Sequence, residues 1–414
     1  MVNKTILANG IRVVSEEIKY VHSVSIGVWV GCGSRHETKT SSGIAHFIEH
    51  ILFKGTNTRS PFAIASAVDF MGGIINASTG KENTVFYIKI PAYHLSSAIE
   101  LLADILNHSL FRDEDIEKEK SVICQEIRMV EDTPDEYIHD IFDAYFWQGY
   151  ALAFPIAGTC GSIQSFNRKK ILQFFKQHYG GNNIVISVVG QLEHSQLVRL
   201  ITECFVSARQ EKKEIFSPPP LPSIVKRFIH RELEQIHLVM GCQAPSIADI
   251  RRYTCIILNA LLGGSMSSRL FQEIREKKGL VYDIQSYLNT YHDVGMMGIY
   301  AGTDTNKFRE VILLIRREMC RLQEKLVTEQ ELRNAKEMVK GNFILSMEST
   351  DSRMTHLAKN EISFGRYITC DEVIEEIDSV TRRSVRDMAR EIFAVDRISL
   401  VAIGRMPQGI ADNM

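Results

Sequence analysis

A run of prolines near the middle of the chain constrains its fold more than any other feature. Four prolines fall within residues 218–222, directly after the highly charged stretch 209–214. Proline fixes its own backbone angle and donates no N–H, so such a segment cannot lie inside a helix or a central strand. It favours an extended connector between two folded parts. The predicted organisation is a first domain at 1–208, a linker at 209–224 and a second domain at 225–414.

The two halves resemble each other weakly, as the products of a tandem duplication would. Phe174–Gly190 reads as helix, loop and strand, and Ala389–Gly404 reads the same way. Ser23–Val30 and His237–Gly241 are comparable opening strands. Helices and strands do not alternate strictly, which favours an α+β fold over a doubly wound parallel sheet. We therefore expect two tandem, structurally similar domains, each a mostly antiparallel sheet with helices covering one face.

Apolar periodicity predicts the individual elements of the first half. The predicted strands are 5–15, 23–31, 74–79, 84–90 and 183–189, and the predicted helices are 41–54, 62–71, 93–108, 113–131, 135–146 and 168–178.

Composition and charge argue against several classes of protein. The 48 basic and 50 acidic residues give a net charge of −2, whereas nucleic-acid and membrane-surface proteins need a basic excess. No apolar run approaches the roughly 20 residues of a spanning helix, and the first residues lack the pattern of a secretory signal. The eight cysteines form no CxxC pair, as expected of reduced thiols. We expect a cytoplasmic protein with no nucleic-acid partner and no membrane insertion.

The strongest chemical signal is the pattern HxxEH, formed by His46, Glu49 and His50. Positions i and i+4 of a helix share a face, with Cβ atoms roughly 5–6 Å apart. Both histidines can therefore aim a ring nitrogen at one Zn²⁺, at about 2.0–2.1 Å. Glu49 borders the same face and is placed to take a proton from a zinc-bound water; this spacing is the inverse of HExxH. Ser41 or Ser42 is the expected cap of the helix.

A catalytic zinc ion needs a third protein ligand and one open position. Glu119 and Glu126 are seven residues apart, or two helical turns, and so share one helix face. One could bind the metal while the other orients a histidine or the ligand. The residues alone leave other interpretations open: a pair of surface histidines on an amphipathic helix, and solvated glutamates.

The run GIAHFIEHILFKGT at 43–56 resembles the active-site helix of the M16 (pitrilysin-type) zinc peptidases. That family includes the mitochondrial processing peptidases, whose beta subunit this chain resembles, insulin-degrading enzyme and bacterial single-chain members. Glu126 matches the family's third zinc ligand, and Glu119 matches its supporting glutamate. The resemblance implies a LuxS/MPP-like metallohydrolase fold, one Zn²⁺ per chain in the first domain, and a metalloendopeptidase with Glu49 as general base.

The resemblance extends to residues expected to hold a peptide. Arg275 and Tyr282 match an arginine–tyrosine segment that reaches the bound peptide, so they are candidate catalytic residues. The second half has no HxxEH, which implies a degenerate copy that supplies substrate contacts. Asn76 and Ala77 match an edge strand that takes the substrate as an added strand. The alternative for that segment is an ordinary edge hairpin.

Glu136 and Asp140 share a helix face at i, i+4 after Pro134. Acidic residues at matching positions of processing peptidases bind an arginine near the cleavage point, so we expect a preference for basic residues there. The simpler interpretation is acidity that suits a helix N-terminus. Family members enclose unfolded peptides in a chamber of four such domains, which implies a homodimer, or a heterodimer with a related subunit. The rival functions are a non-catalytic partner subunit and a peptide-binding homologue.

Overall fold

The computed structural model describes residues 2–205, 222 and 224–406. The predicted linker at 209–224 lies outside these described residues apart from 222 and 224. The described strands are β1 (Val2–Ile6), β2 (Arg12–Glu17), β3 (Ser23–Val30), β4 (Ile74–Thr79), β5 (Thr84–Pro91), β6 (Ile184–Gly190), β7 (Lys226–His230), β8 (Ile236–Ala244), β9 (Val281–Thr290), β10 (Gly295–Thr303) and β11 (Ser399–Gly404). The described α-helices are α1 (Ile44–Leu52), α2 (Pro61–Phe70), α3 (Leu95–His108), α4 (Asp113–Glu131), α5 (Pro134–Phe146), α6 (Cys160–Gln164), α7 (Arg168–His178), α8 (His194–Cys204), α9 (Arg252–Leu262), α10 (Phe308–Glu324), α11 (Glu329–Ser346), α12 (Thr350–Phe364), α13 (Cys370–Ser379) and α14 (Arg382–Ile392).

The strands form two sheets that share one topology over five strands, and the first sheet has β1 as an additional edge strand. The first has the order β1-β2-β6-β3-β5-β4, and the second has the order β7-β11-β8-β10-β9. In each described sheet one pair is parallel, β2 with β6 and β7 with β11, and the other pairs are antiparallel. Gly190 and Gly404 end the matching strands β6 and β11 with φ of 141° and 143°. A Cβ at either position would lie 2.2 or 2.7 Å from a backbone oxygen at the start of the next strand in the sheet. The expected pair of similar α+β domains is confirmed.

The chain divides into two compact units, and neither is continuous in sequence. Unit 1 comprises Met1–Met129, Phe154–Phe216 and Leu345–Tyr367, and unit 2 comprises the rest, so far as these residues are described. Helix α12 of the second half therefore belongs to unit 1, and helix α5 of the first half belongs to unit 2. The compact units differ in these two segments from the contiguous domains predicted at 1–208 and 225–414.

Packing within each unit explains the exchanged helices. One face of the first sheet is covered by a core of helices that includes α1, α3, α4 and α7. The opposite face carries Trp29, Val185 and Val189, which are buried against Met354 and Leu357 of α12. The expectation that helices cover one face is therefore wrong for this sheet, because apolar side chains on both faces must be removed from water.

Helix α5 covers one face of the second sheet in unit 2, as α12 covers one face of the first sheet in unit 1. Its Ile138 and Phe142 are fully buried against Val239 of β8 and Val401 of β11. The helix thus covers an apolar face of the second sheet.

The predicted elements of the first half agree with the structure with one clear exception. The segment 5–15 is not one strand, because a turn at Gly10, with φ of 88°, divides it into β1 and β2. The amide of Leu7 donates to the carbonyl of Ile11 at 2.9 Å across that turn. The apolar residues alternate on both sides of Gly10, so the sequence pattern did not indicate the turn.

Candidate metal centre

Helix α1 presents His46, Glu49 and His50 from one stretch of chain in unit 1. The two imidazole rings lie on the same face with centroids 4.6 Å apart, as the i, i+4 spacing requires. His46 is buried, and the other two side chains are half-buried. The HxxEH pattern therefore forms the local geometry that its spacing predicts.

The start of α1 differs from the prediction of a serine cap at Ser41 or Ser42. The N-cap is Gly43, with φ of 90°, and it makes no side-chain hydrogen bond. The buried carboxylate of Glu37 accepts the backbone N–H of Gly43 at 2.7 Å and of Ala45 at 2.9 Å. Glutamate from the preceding loop thus satisfies the free amides that a helix start leaves.

Helix α4 brings a carboxylate to the two imidazoles. Glu126 Oε1 lies 3.8 Å from His46 Nε2, and Glu126 Oε2 lies 3.7 Å from His50 Nε2. One ligand atom from each of the three residues lies within 4.8 Å of the others. This is the one group of its kind found among the described residues.

Glu119, two turns earlier on α4, contacts the other ring nitrogen of His50, Nδ1. Its Oε2 lies 3.2 Å from His50 Nδ1, and its Oε1 lies 2.7 Å from Lys54 Nζ. Although burial opposes ionisation, the hydrogen bonds from His50 and Lys54 lower the pKa of Glu119 below its ordinary value. An ionised carboxylate can only accept, so in the neutral form of His50 the proton is on Nδ1 and Nε2 is a lone-pair donor facing Glu126.

The pKa values of the two histidines in the metal-free site shift in opposite directions. It lowers the pKa of His46 to about 4, and the neighbouring His50 adds to the shift. Burial pulls the pKa of His50 down as well, but the hydrogen bond with Glu119 and the charges of Glu126, Glu119 and Glu49 outweigh it and raise that pKa. His46 is thus neutral at pH 7, which is the form that binds metals.

Glu49 points into the same site and has one partner fixed by the fold. The hydroxyl of Thr79, the last residue of β4, donates to Oε2 of Glu49. Burial raises the pKa of Glu49, while the Thr79 hydrogen bond acts in the opposite direction. A carboxylate with a raised pKa is suited to accepting and returning a proton.

The donor set fits Zn²⁺. Two imidazoles and one carboxylate are a known set for catalytic zinc. Ligand atoms about 2.1 Å from one ion lie within roughly 4.2 Å of each other, as the two measured pairs at 3.8 and 3.7 Å do. The buried His46 Nδ1 has no hydrogen-bond partner among the residues that the structure describes. His46, His50 and Glu126 could therefore hold the ion, with Glu119 outside them.

Asn76 and Ala77 lie on β4, at the edge of the first sheet. In the described chain β4 pairs only with β5. The Ala77 N–H donates to Oδ1 of Asn76 at 2.8 Å. The predicted substrate edge is therefore a free edge, partly protected by its own side chain.

Four predicted site residues belong to unit 2 and are described there. Arg275 lies in the π-helical turn Phe271–Glu276, with its guanidinium 4.8 Å from the ring centre of Phe271 and 5.7 Å from that of Tyr282. Tyr282 is the second residue of β9 and is 80% exposed. Glu136 and Asp140 lie on α5, one helical turn apart. Their roles towards the metal site stay predictions.

Sequence reasoning missed three residues that contact the site or its helix: Glu37, Lys54 and Thr79. Lys54 follows His50 by four positions, so its reach towards a carboxylate near that histidine could have been read from the helical period. Glu37 and Thr79 lie on separate segments, and no local pattern connects them with α1.

Comparisons with known proteins identify the family of the chain. A model described as insulinase (peptidase family M16) matches residues 12–160, and one described as the peptidase M16 inactive domain matches residues 165–339. A Bacillus subtilis protein named an uncharacterized zinc protease is 40% identical over 98% of this chain and 100% of its own. A Streptomyces coelicolor protein of the same description is 35% identical over 100% of this chain and 92% of its own.

Solved structures share the fold. A Helicobacter pylori protease superimposes with a TM-score of 0.90 at 22% identity, covering 98% of this chain and 99% of its own. A Pseudomonas fluorescens structure described as a peptidase M16 inactive domain superimposes with a TM-score of 0.92 at 18% identity, covering 98% of both chains.

Among the described helices, none is both long and apolar enough to cross a membrane. The chain belongs to the M16 peptidase family.

Proposed function

We propose that this M16 family member is a zinc-dependent endopeptidase that hydrolyses unfolded peptides, with one Zn²⁺ held by His46, His50 and Glu126. The observation that carries the proposal is the convergence of these three side chains within 4.8 Å. Glu49, the candidate base, is on the same helix. The names of the zinc protease relatives support zinc as the metal.

The bound ion supplies polarisation of the scissile carbonyl and a lowered pKa of the attacking water. Glu49 takes the proton of that water and later delivers it to the leaving amine. Glu119 keeps the proton of His50 on Nδ1, so that Nε2 stays available as a ligand atom. Lys54 holds the second oxygen of Glu119. Each of these residues thus has a separate task in binding or proton transfer.

The substrate is proposed to be a peptide or unfolded polypeptide that adds to β4 as a strand. Support comes from the free edge at Asn76 and Ala77, where main-chain hydrogen bonds give affinity with little sequence preference. From the family resemblance, Arg275 and Tyr282 are proposed to contact the bound peptide and to stabilise charge that develops on its carbonyl oxygen.

Specificity and assembly are proposed from the same resemblance. Glu136 and Asp140 would favour basic residues near the cleavage point. The chain supplies two of the four domains that a closed chamber needs, so we propose a homodimer, or a heterodimer with a related subunit. Such a chamber admits unfolded chains and excludes folded ones by size.

The second candidate is a non-catalytic homologue that binds peptides or serves as a partner subunit. The description "inactive domain" favours it for part of the chain, but that model begins at residue 165, beyond the HxxEH helix. In unit 2 the helix in the matching position, α9, is apolar and has no HxxEH. The family model with that description therefore leaves out the HxxEH helix, and the Pseudomonas fluorescens structure with the same description, at 18% identity, supports the fold alone.

The test is hydrolysis of quenched unstructured peptides by the purified full-length chain, with and without a chelator. Wild type should cleave, the chelator should abolish cleavage, and added zinc should restore it. Glu49→Gln should keep one zinc ion per chain and lose turnover, whereas Glu114→Gln, an exposed glutamate of α4, serves as the matched control. Zinc-loaded wild type that retains peptides without forming products would favour the binding role instead.

A further inference from the structure

The last residue of the edge strand reaches the candidate base. Successive side chains of a strand point to opposite faces. Along β4, Ile74 is 66% exposed, while Ile75 and Ala77 are partly buried against the core of unit 1. Thr79 lies on the same face as Ile75 and Ala77, and its hydroxyl donates to Oε2 of Glu49. The strand predicted to bind the peptide thus carries a side chain that fixes the proton acceptor.

The direction of this hydrogen bond follows from the neighbours of Thr79. Thr84, its partner across the β4–β5 register, has a hydroxyl 2.9 Å from the carbonyl of Cys32 and 3.4 Å from the Thr79 hydroxyl. A hydroxyl has one proton to donate, and the nearer carbonyl takes that of Thr84. Thr79 therefore keeps its own proton for Glu49. Thr84 is fully buried and pairs with Thr79 at the end of β4.

We propose that Thr79 is a positioning residue, which holds one oxygen of Glu49 so that the other faces the attacking water, and which links this placement to peptide addition along β4. The inference rests on the proposed peptidase function. Thr79 lies two residues after Ala77 on one continuous strand. Pairing with β5 along the whole of β4 fixes Thr79 and, through it, Glu49. One strand would then both bind the peptide and place the base.

A purely structural role would be different: Thr79 would only fasten β4 to α1. In that case its loss would weaken peptide binding or stability and leave the chemical step alone. Thr79→Val keeps the shape and removes the donor, whereas Thr79→Ser keeps the donor. Ser78→Ala changes the neighbouring exposed side chain on the opposite face and controls for any general disturbance of β4.

The kinetic test measures kcat and KM separately for the four zinc-loaded chains with one quenched peptide. Loss of a hydrogen bond to an ionised acceptor predicts a fall in kcat of about tenfold to a hundredfold for Thr79→Val. KM should change less than about threefold, and zinc content should stay at one per chain. Thr79→Ser and Ser78→Ala should stay near wild type. A kcat of Thr79→Val within about twofold of wild type, or a rise in KM alone, would overturn the inference.

A second measurement tests the contact without catalysis. In the metal-free protein, Thr79→Val should lower the denaturant midpoint of unfolding when Glu49 is present and have a different, smaller effect in a Glu49→Ala background. Equal shifts in both backgrounds would contradict the contact. A wild-type chain that cleaves nothing would overturn the proposed function and this role together. Normal turnover by Thr79→Val would remove only the role of Thr79.

Discussion

Replacing Glu119 by glutamine should weaken zinc binding while leaving all three proposed ligands in place. In the structure Glu119 accepts from His50 Nδ1 at 3.2 Å and from Lys54 Nζ at 2.7 Å. An amide in its place has no charge and only one accepting oxygen, so it cannot serve both partners equally. His50 then loses the contact that keeps its proton on Nδ1 and its Nε2 free.

The size of the effect follows from the burial of the two contacts. Glu119 is buried, and a hydrogen bond to a charged acceptor contributes about 1.5–3 kcal/mol. At about 1.4 kcal/mol for each factor of ten, this corresponds to about 10–100-fold in zinc affinity, the range typical of such supporting residues. The Lys54 side chain is 37% exposed, so water screens its ion pair to about 1 kcal/mol or less. Lys54→Met should therefore weaken zinc binding by about fivefold at most.

The assay is competition for zinc against a chromophoric chelator at pH 7, with purified full-length variants. Glu117→Gln is the matched control, since Glu117 lies two residues away on α4, is 67% exposed and has its Oε1 2.7 Å from Lys120 Nζ. Its zinc affinity should equal that of wild type. If Glu119→Gln also stays within twofold of wild type, the argument that Glu119 orients His50 is refuted.

Three further perturbations test other parts of the account. Glu37→Ala should lower the free energy of unfolding by about 1–3 kcal/mol, because two helix-start amides lose their acceptor; equal urea midpoints for it and wild type would contradict this. Burial opposes ionisation of Asp104, but hydrogen bonds, chiefly from Thr56 and Arg59, outweigh it and lower the pKa of Asp104 from its ordinary 3.8. The ionised Asp104 therefore stabilises the fold above pH 3.8, and this contribution is lost as the pH falls through the lowered pKa. The difference in unfolding free energy between wild type and Asp104→Asn should accordingly shrink below about pH 4, and a pH-independent difference would argue against it. Glu136→Gln combined with Asp140→Asn should reduce cleavage of arginine-containing peptides relative to their alanine counterparts; an unchanged ratio removes these residues as specificity determinants.

Sequence spacing predicted which site residues share a helix face, but it could not predict how the two helices pack against each other. His46 and His50 share a face because the helical period requires it, and Glu119 and Glu126 share a face of α4 for the same reason. Spacing could not decide which glutamate lies beside both Nε2 atoms, since that depends on how α1 and α4 pack. The resemblance to a family supplied that choice.

Tertiary packing also determines the cap of α1 and the position of α12, neither of which the sequence pattern predicted. The serines before α1 satisfied the usual rule for a helix cap, but the chain folds so that Glu37 reaches the free amides first. Helix α12 has an apolar side like any surface helix, and that pattern does not specify which sheet it covers. Its position against the first sheet depends on tertiary contacts and not on the local sequence of the helix.

The measurement that tests the central claim most directly is a crystal structure of the zinc-loaded Glu49→Gln variant with an unstructured peptide, with anomalous data at the zinc edge. The account predicts one zinc peak per chain, ligated by His46 Nε2, His50 Nε2 and Glu126, and a peptide paired with β4. A zinc peak at other residues, or a peptide bound away from β4 with this group empty, would contradict it.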